Sequence, residues 1–129
     1  MKLLVLFYFM NLVNGYSFRR TVGNYRNKNL NSKIYIIDID GTICYSKDSN
    51  YNLSKPRFDM IEKFNKLYED GNDIHYWTAR GAISEKNWDK FTIQQLNNWG
   101  VKYTSINMDK PHYDYWIDDK AINVDDLHL

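Results

Sequence analysis

The sequence holds a single cysteine, Cys44, among 129 residues, so no disulfide can close within the chain and cysteine-rich zinc sites are excluded. A lone thiol sits most easily in a reducing compartment. No histidine lies near Cys44 in sequence, which reads as inert packing rather than a nucleophile. Nowhere do the roughly 20 consecutive apolar residues of a membrane-crossing helix occur. No internal repeat is present, and no low-complexity tract beyond an Asn-rich stretch before Lys33. Acid is missing from the whole of residues 1–37, which carry Lys2, Arg19, Arg20, Arg26, Lys28 and Lys33 without one Asp or Glu. The other eleven bases and all sixteen acids follow, so a bland total of +1 conceals a stretch with five net negative charges.

That asymmetry divides the chain into residues 1–32 and a single domain at 33–129. Lys2, the apolar run Leu3–Met10 and the sequence Asn11-Leu12-Val13-Asn14-Gly15 have the layout of a signal peptide, and Tyr16 to Lys33 has a transit-segment or linker composition. The expected location is the secretory pathway or an organelle, and the cytoplasm where the segment is not used. Two other readings stand beside this one. One is an N-terminal strand or helix packed on the domain; the other is a basic nucleic-acid arm, for which the charges are few and scattered. The aromatic share of 16% means that bulky rings fill much of a small core.

From Lys33 the pattern is that of an open α/β sheet. Ile34-Tyr35-Ile36-Ile37 reads as a strand buried on both faces. A hydrophilic loop covers Tyr45 to Asn52. Ser54 is the expected cap of a helix with Pro56 in its first turn and Phe58, Ile61, Phe64 and Tyr68 at helical spacing, closed by Gly71. Ile74–Trp77 is the second strand. A second helix has Trp88, Phe91, Gln95 or Leu96, and Trp99 on one core-facing stripe and ends at Gly100. Tyr103–Ile106 and Tyr115–Ile117 complete four strands, the sheet being mostly parallel and Rossmann-like with right-handed crossovers.

Three polar groups fall at the carboxyl ends of these strands: Asp38 and Asp40, Thr78, and Asp118 with Asp119. Ligand crevices of open α/β sheets lie outside those ends, so the groups are expected to meet there. Four carboxylates in one crevice call for a cation, and an all-oxygen set favours Mg2+. Beside it a carboxylate can attack phosphorus, while a second one, two residues on, serves as acid and base. Lys110 and the Thr78 hydroxyl would hold the charged oxygens. Gly41 permits a sharp turn that aims backbone N–H groups at the phosphate.

Asp38-Ile39-Asp40-Gly41-Thr42, Thr78, Lys110 and Asp118-Asp119, in this order, resemble the four signature motifs of the haloacid-dehalogenase-like hydrolases, over nearly all of the domain. The resemblance implies a minimal core without a cap domain and a magnesium-dependent phosphomonoester hydrolase working through an aspartyl-phosphate. Asp38 is then the nucleophile and Asp40 the acid/base; Gly41, Thr42, Thr78, Ala79 and Lys110 bind phosphate; Asp38, Asp40, Asp118 and Asp119 hold Mg2+. Trp77-Thr78-Ala79-Arg80, Lys110-Pro111-His112-Tyr113-Asp114 and Ile117–Ile122 are similar to small relatives associated with capsular or surface polysaccharides. This implies a small phosphorylated substrate, a sugar phosphate among the candidates, with Arg80 as a substrate contact. The relatives are generally cytoplasmic, unlike the signal-like start here. The short insertions imply an open site under a flap made from about Cys44 to Lys55.

The same residues admit other readings. A calcium loop starting at Asp38 would need Gly and Glu where Ile43 and Ser49 stand, and so fails. Asp118-Asp119 alone reads as a solvated turn, Asp125-Asp126 as surface, and His75 as a satisfied core residue. A nucleotide or nucleic-acid-end phosphatase and a non-catalytic phosphate-binding module remain as alternatives. The acidic balance after residue 37 argues against stable nucleic-acid binding.

Overall fold

The computed structural model describes residues 22–23 and 31–129. The signal- or transit-like expectation for the first residues lies outside the described ones, apart from Val22–Gly23, which form β1. The elements that follow are β2 (Ile34–Ile37), β3 (Cys44–Tyr45), β4 (Lys55–Pro56), α1 (Phe58–Glu69), β5 (Asp73–Trp77), α2 (Asp89–Asn98) and β6 (Ser105–Asn107). The main sheet has the order β1-β6-β5-β2, in which β2, β5 and β6 run parallel and β1 pairs antiparallel with β6. This is a mixed α/β fold with a parallel three-stranded centre and two helices. Among the described residues no helix is long and apolar enough to cross a membrane.

The core joins the inward residues of the strands to one stripe of each helix. Ile37, Ile74, Tyr76 and Ile106 meet Met60, Ile61 and Phe64 of α1 and Leu96 of α2. On α1, Leu67 and Tyr68 extend the stripe at helical spacing, while Phe58, expected on that face, is 55% exposed. On α2 the fully buried residues are Thr92 and Leu96; Trp88, Phe91 and Trp99, expected as the core stripe, are only partly buried beside them. Gly100 ends α2 with φ of +72°, a conformation that costs any residue with a Cβ.

Three sequence expectations need correction. β2 is buried on one face only: Ile34 and Ile36 are 60% and 62% exposed, because among the described residues no layer covers their face, and only Tyr35 and Ile37 face the core. Helix α1 begins at Phe58 rather than after Ser54, since Lys55–Pro56 pair with Cys44–Tyr45 as a small ribbon. That pairing fixes Pro56 in extended backbone, and the Ser54 hydroxyl bonds to that of Ser46 instead of capping a helix. Tyr115–Ile117 is not a strand: the segment is exposed and runs without ladder partners. Its apolar run is short, and among the described residues no strand pairs with it. The third sheet strand is shifted along the chain to Ser105–Asn107.

Candidate active site

Parallel strands β2 and β5 both end in polar residues, and their shared direction brings those ends side by side. Asp38 and Asp40 follow β2, Thr78 follows β5, and Lys110 comes three residues after β6. The backbone stitches these ends together: Thr78 N–H donates to the Asn107 carbonyl at 3.0 Å and Lys110 N–H to the Thr78 carbonyl at 3.2 Å. Asp38, Asp40, Thr78, Ala79, Arg80 and Lys110 accordingly line one open cavity of about 440 Å³. Its outer wall includes Tyr51, which lies in the segment expected as a flap, His112 and Tyr113, which follow Lys110 in its motif, and Trp88, which the sequence placed on the core stripe of the second helix.

Asp38 lies 3.2 Å from the Lys110 ammonium, whose side chain is 9% exposed. Burial pushes the Asp38 carboxyl above its ordinary value, and the charge of Lys110 opposes this without cancelling it. Lys110 in turn stands over the rings of Tyr113 and Trp116, at 5.0 and 5.7 Å from their centroids. Trp116 is held edge-on against Trp77, whose indole N–H donates to Asp109 at 2.8 Å. An aromatic bracket therefore fixes the lysine beside the acid.

Asp40 is held quite differently. Burial raises its carboxyl pKa, but the bonds and charge of Arg80, with help from Ser46 and Cys44, prevail and leave it below the ordinary value. Arg80 donates from Nε to Oδ2 and from Nη2 to Oδ1, each at 2.8 Å. Its Nη1 donates to Gln95 at 2.8 Å and Thr92 at 3.3 Å, and its guanidinium lies 4.5 Å from the Tyr51 ring centroid. Arg80 is wholly buried. The substrate contact expected of it does not fit, because its donors are engaged inside the protein.

Gly41 turns the loop with φ of +85°, as the motif requires. The turn directs the amides inward: Gly41 N–H donates to the Cys44 carbonyl and Thr42 N–H to that of Ile39. Neither residue lines the cavity, so the two expected phosphate contacts are not offered to it. Cys44 is buried within this loop, and burial, with the Asp40 charge, raises its thiol to about 11.

Asp118 and Asp119 do not join the cavity. Both are exposed, and Asp118 accepts a bond from the Lys120 N–H at 2.7 Å, which with other local contacts lowers its pKa. Within the cavity wall Asp38 and Asp40 are the acids, and both oxygens of Asp40 are taken by Arg80. Among the described residues no three acid, His or Cys side chains stand together to hold a metal. As arranged, this donor set does not fit a magnesium ion. The sequence misses Ser46, Thr92 and Gln95 as supports of Asp40; their only signal is tertiary.

No protein-family model and no curated protein matches the chain. Among solved structures it is similar to the crystal structure of an MCSG target from Vibrio cholerae. The TM-score is 0.61 with 30% identity, covering 72% of this chain and 85% of that one. At that identity and coverage the chain belongs to the same family as the Vibrio cholerae protein.

Proposed function

We propose that the protein is a phosphomonoester hydrolase of the haloacid-dehalogenase-like type, with Asp38 as nucleophile. One observation carries the reading: a desolvated carboxylate, a buried ammonium 3.2 Å from it and the hydroxyl-bearing end of the neighbouring strand line the same open cavity. A phosphate set between Asp38 and Lys110 has its negative charge met by the ammonium while the carboxylate approaches phosphorus. The bond from Asp38 oxygen to phosphorus forms as the ester P–O bond breaks and the leaving oxygen departs with the electron pair. Water then attacks phosphorus, Asp40 takes its proton, and the aspartyl P–O bond breaks to release inorganic phosphate.

Arg80 favours ionised Asp40, which suits it as the base of the second step. As the acid of the first step it must accept a proton against that fork, so leaving groups that depart readily as anions are favoured. The magnesium ion that the motif resemblance implies would be held by Asp38 with Asp118 and Asp119 only if the acidic pair left its exposed position. A sugar phosphate is the candidate substrate from the motif resemblance. The rings of Trp88 and Tyr113 on the cavity wall suit contact with a sugar or a base, so nucleotides stay in the test panel. A non-catalytic phosphate-binding module is the second reading, favoured by the exposure of Asp118 and Asp119 outside the cavity lining.

The experiment is phosphate release from an aryl phosphate, sugar phosphates, nucleotides and phosphorylated DNA ends, with magnesium or with excess chelator. Turnover that stops on chelation and is absent in Asp38→Asn supports the proposal. Phosphate binding without release from any substrate favours the binding module instead.

A further inference from the structure

A guanidinium that is wholly buried beside a reactive carboxylate, and has no free donor for a ligand, needs another purpose. Arg80 joins three parts of the molecule. Its fork fixes both oxygens of Asp40 after β2, its Nη1 is anchored on Thr92 and Gln95 of α2, and its plane lies on the Tyr51 ring. The link closes on itself, because Gln95 Nε2 donates to the Tyr51 carbonyl at 2.7 Å. Tyr51 opens the 3-10 turn Tyr51–Leu53 and lines the cavity. Ser46, from the same excursion of chain, donates to Asp40 from the other side. A lysine cannot reproduce this arrangement, since one ammonium cannot present a planar fork to the carboxylate and still reach α2.

We propose that Arg80 is a positioning residue that locks the carboxylate of Asp40 to Gln95 and to the Tyr51 turn, so that the acid/base group and this wall of the cavity share one geometry. The inference rests on the phosphatase reading for its kinetic consequence, though not for the lock itself. Substrate binding falls to Asp38, Thr78 and Lys110, whereas Arg80 sets how well Asp40 meets the water or leaving oxygen. Loss of the fork therefore lowers kcat and leaves KM nearly alone.

The test uses the full chain with Arg80→Lys and, where that variant fails to fold, Gln95→Leu, which cuts the tie without touching the cavity acids. Arg80→Lys is expected to lower kcat about 10²-fold, the scale of an ångström of misplacement, with KM changed by less than about threefold. Gln95→Leu gives the same split with a smaller fall. Amide hydrogen exchange in Tyr51–Leu53 quickens in both variants while β5 stays protected. A raised KM at constant kcat would assign Arg80 to substrate and overturn the proposal, as would unchanged exchange in the turn. Should the wild type release no phosphate from any substrate, the phosphatase reading fails by itself, and the exchange result still decides the lock.

Discussion

Lys110 approaches Asp38 to 3.2 Å from the far side of β5, so the sheet's parallel order is what pairs them. The two residues are 72 positions apart in the chain, and β5 lies between the strands they follow. The pair is asymmetric: the ammonium is nearly enclosed by Tyr113 and Trp116, while the carboxylate opens to the cavity.

Lys110→Met tests what that ammonium does. Asp38 must be ionised to attack, and its folded pKa is already above the ordinary 3.8 because of burial. Activity is therefore present above the folded value and lost as pH falls through it. Removing Lys110 removes the main opposition to that shift, so the acid limb of the kcat/KM profile moves to higher pH. The plateau drops by about 10²–10³-fold, as for loss of one charge-stabilising donor. A profile whose acid limb stays in place would show that Lys110 does not act on Asp38.

The two loop acids have opposite effects on stability. Asp38 has a raised folded pKa, so ionising it weakens the fold as pH rises above the ordinary value; an uncharged Asn avoids that cost. Asp38→Asn is thus expected to be inactive with a melting midpoint at neutral pH no lower than that of the wild type. Asp40 has a lowered folded pKa, so its contribution is complete above 3.8 and is lost as pH falls through the folded value. Asp40→Asn leaves the Arg80 charge buried without its partner and should cost about 3–5 kcal/mol. Thermal melts of both variants at neutral and acidic pH check the contrast. Equal losses in the two variants would contradict it.

Cys44 gives a probe of the same loop. Its thiol is buried and its pKa is raised to about 11, so at neutral or mildly alkaline pH almost none of it is thiolate. The native protein should leave a thiol-reactive chromogenic disulfide unconsumed, and one equivalent should react after unfolding. Rapid reaction of the native protein would mean that the turn around Gly41 opens readily.

Much of this arrangement is legible in the sequence, for identifiable reasons. Ile34–Ile37 and Ile74–Trp77 are apolar runs ended by polar residues, so both strands and their active ends are visible locally. Gly41, Gly71 and Gly100 all have positive φ, and they were legible as turn or helix-end positions. The one-sided exposure of Ile34 and Ile36 was not legible, because an apolar residue looks the same whether or not a layer covers it. Pro56 reads equally well as a first helical turn or as extended backbone; its pairing with Cys44 decides between them. Arg80 is expected as a ligand contact from the resemblance of the Trp77–Arg80 motif. Its true partners lie 40 residues before it and 12 and 15 after it, and no local pattern links them.

The same distinction bears on Asp118 and Asp119, which the motif order assigns to the metal and which stand exposed outside the cavity. Between Lys110 and these acids lies Trp116, packed edge-on against Trp77 with ring centroids 5.6 Å apart. A magnesium ion shared by Asp38 and this acidic pair requires the segment to shift, and Trp116 must then leave or repack against Trp77. The expected outcome is a saturable change in tryptophan emission on adding magnesium, reversed by chelator, with the same half-saturation as phosphate release. Trp116→Phe should lose most of the signal and keep the activity, since the indole is the reporter. Asp118→Asn and Asp119→Asn should raise the magnesium needed for half-activity by about tenfold or more, in the range seen when groups supporting a metal site are removed. If both aspartate variants keep the wild-type magnesium requirement, the acidic pair is a solvated turn and the metal assignment falls back on Asp38 alone.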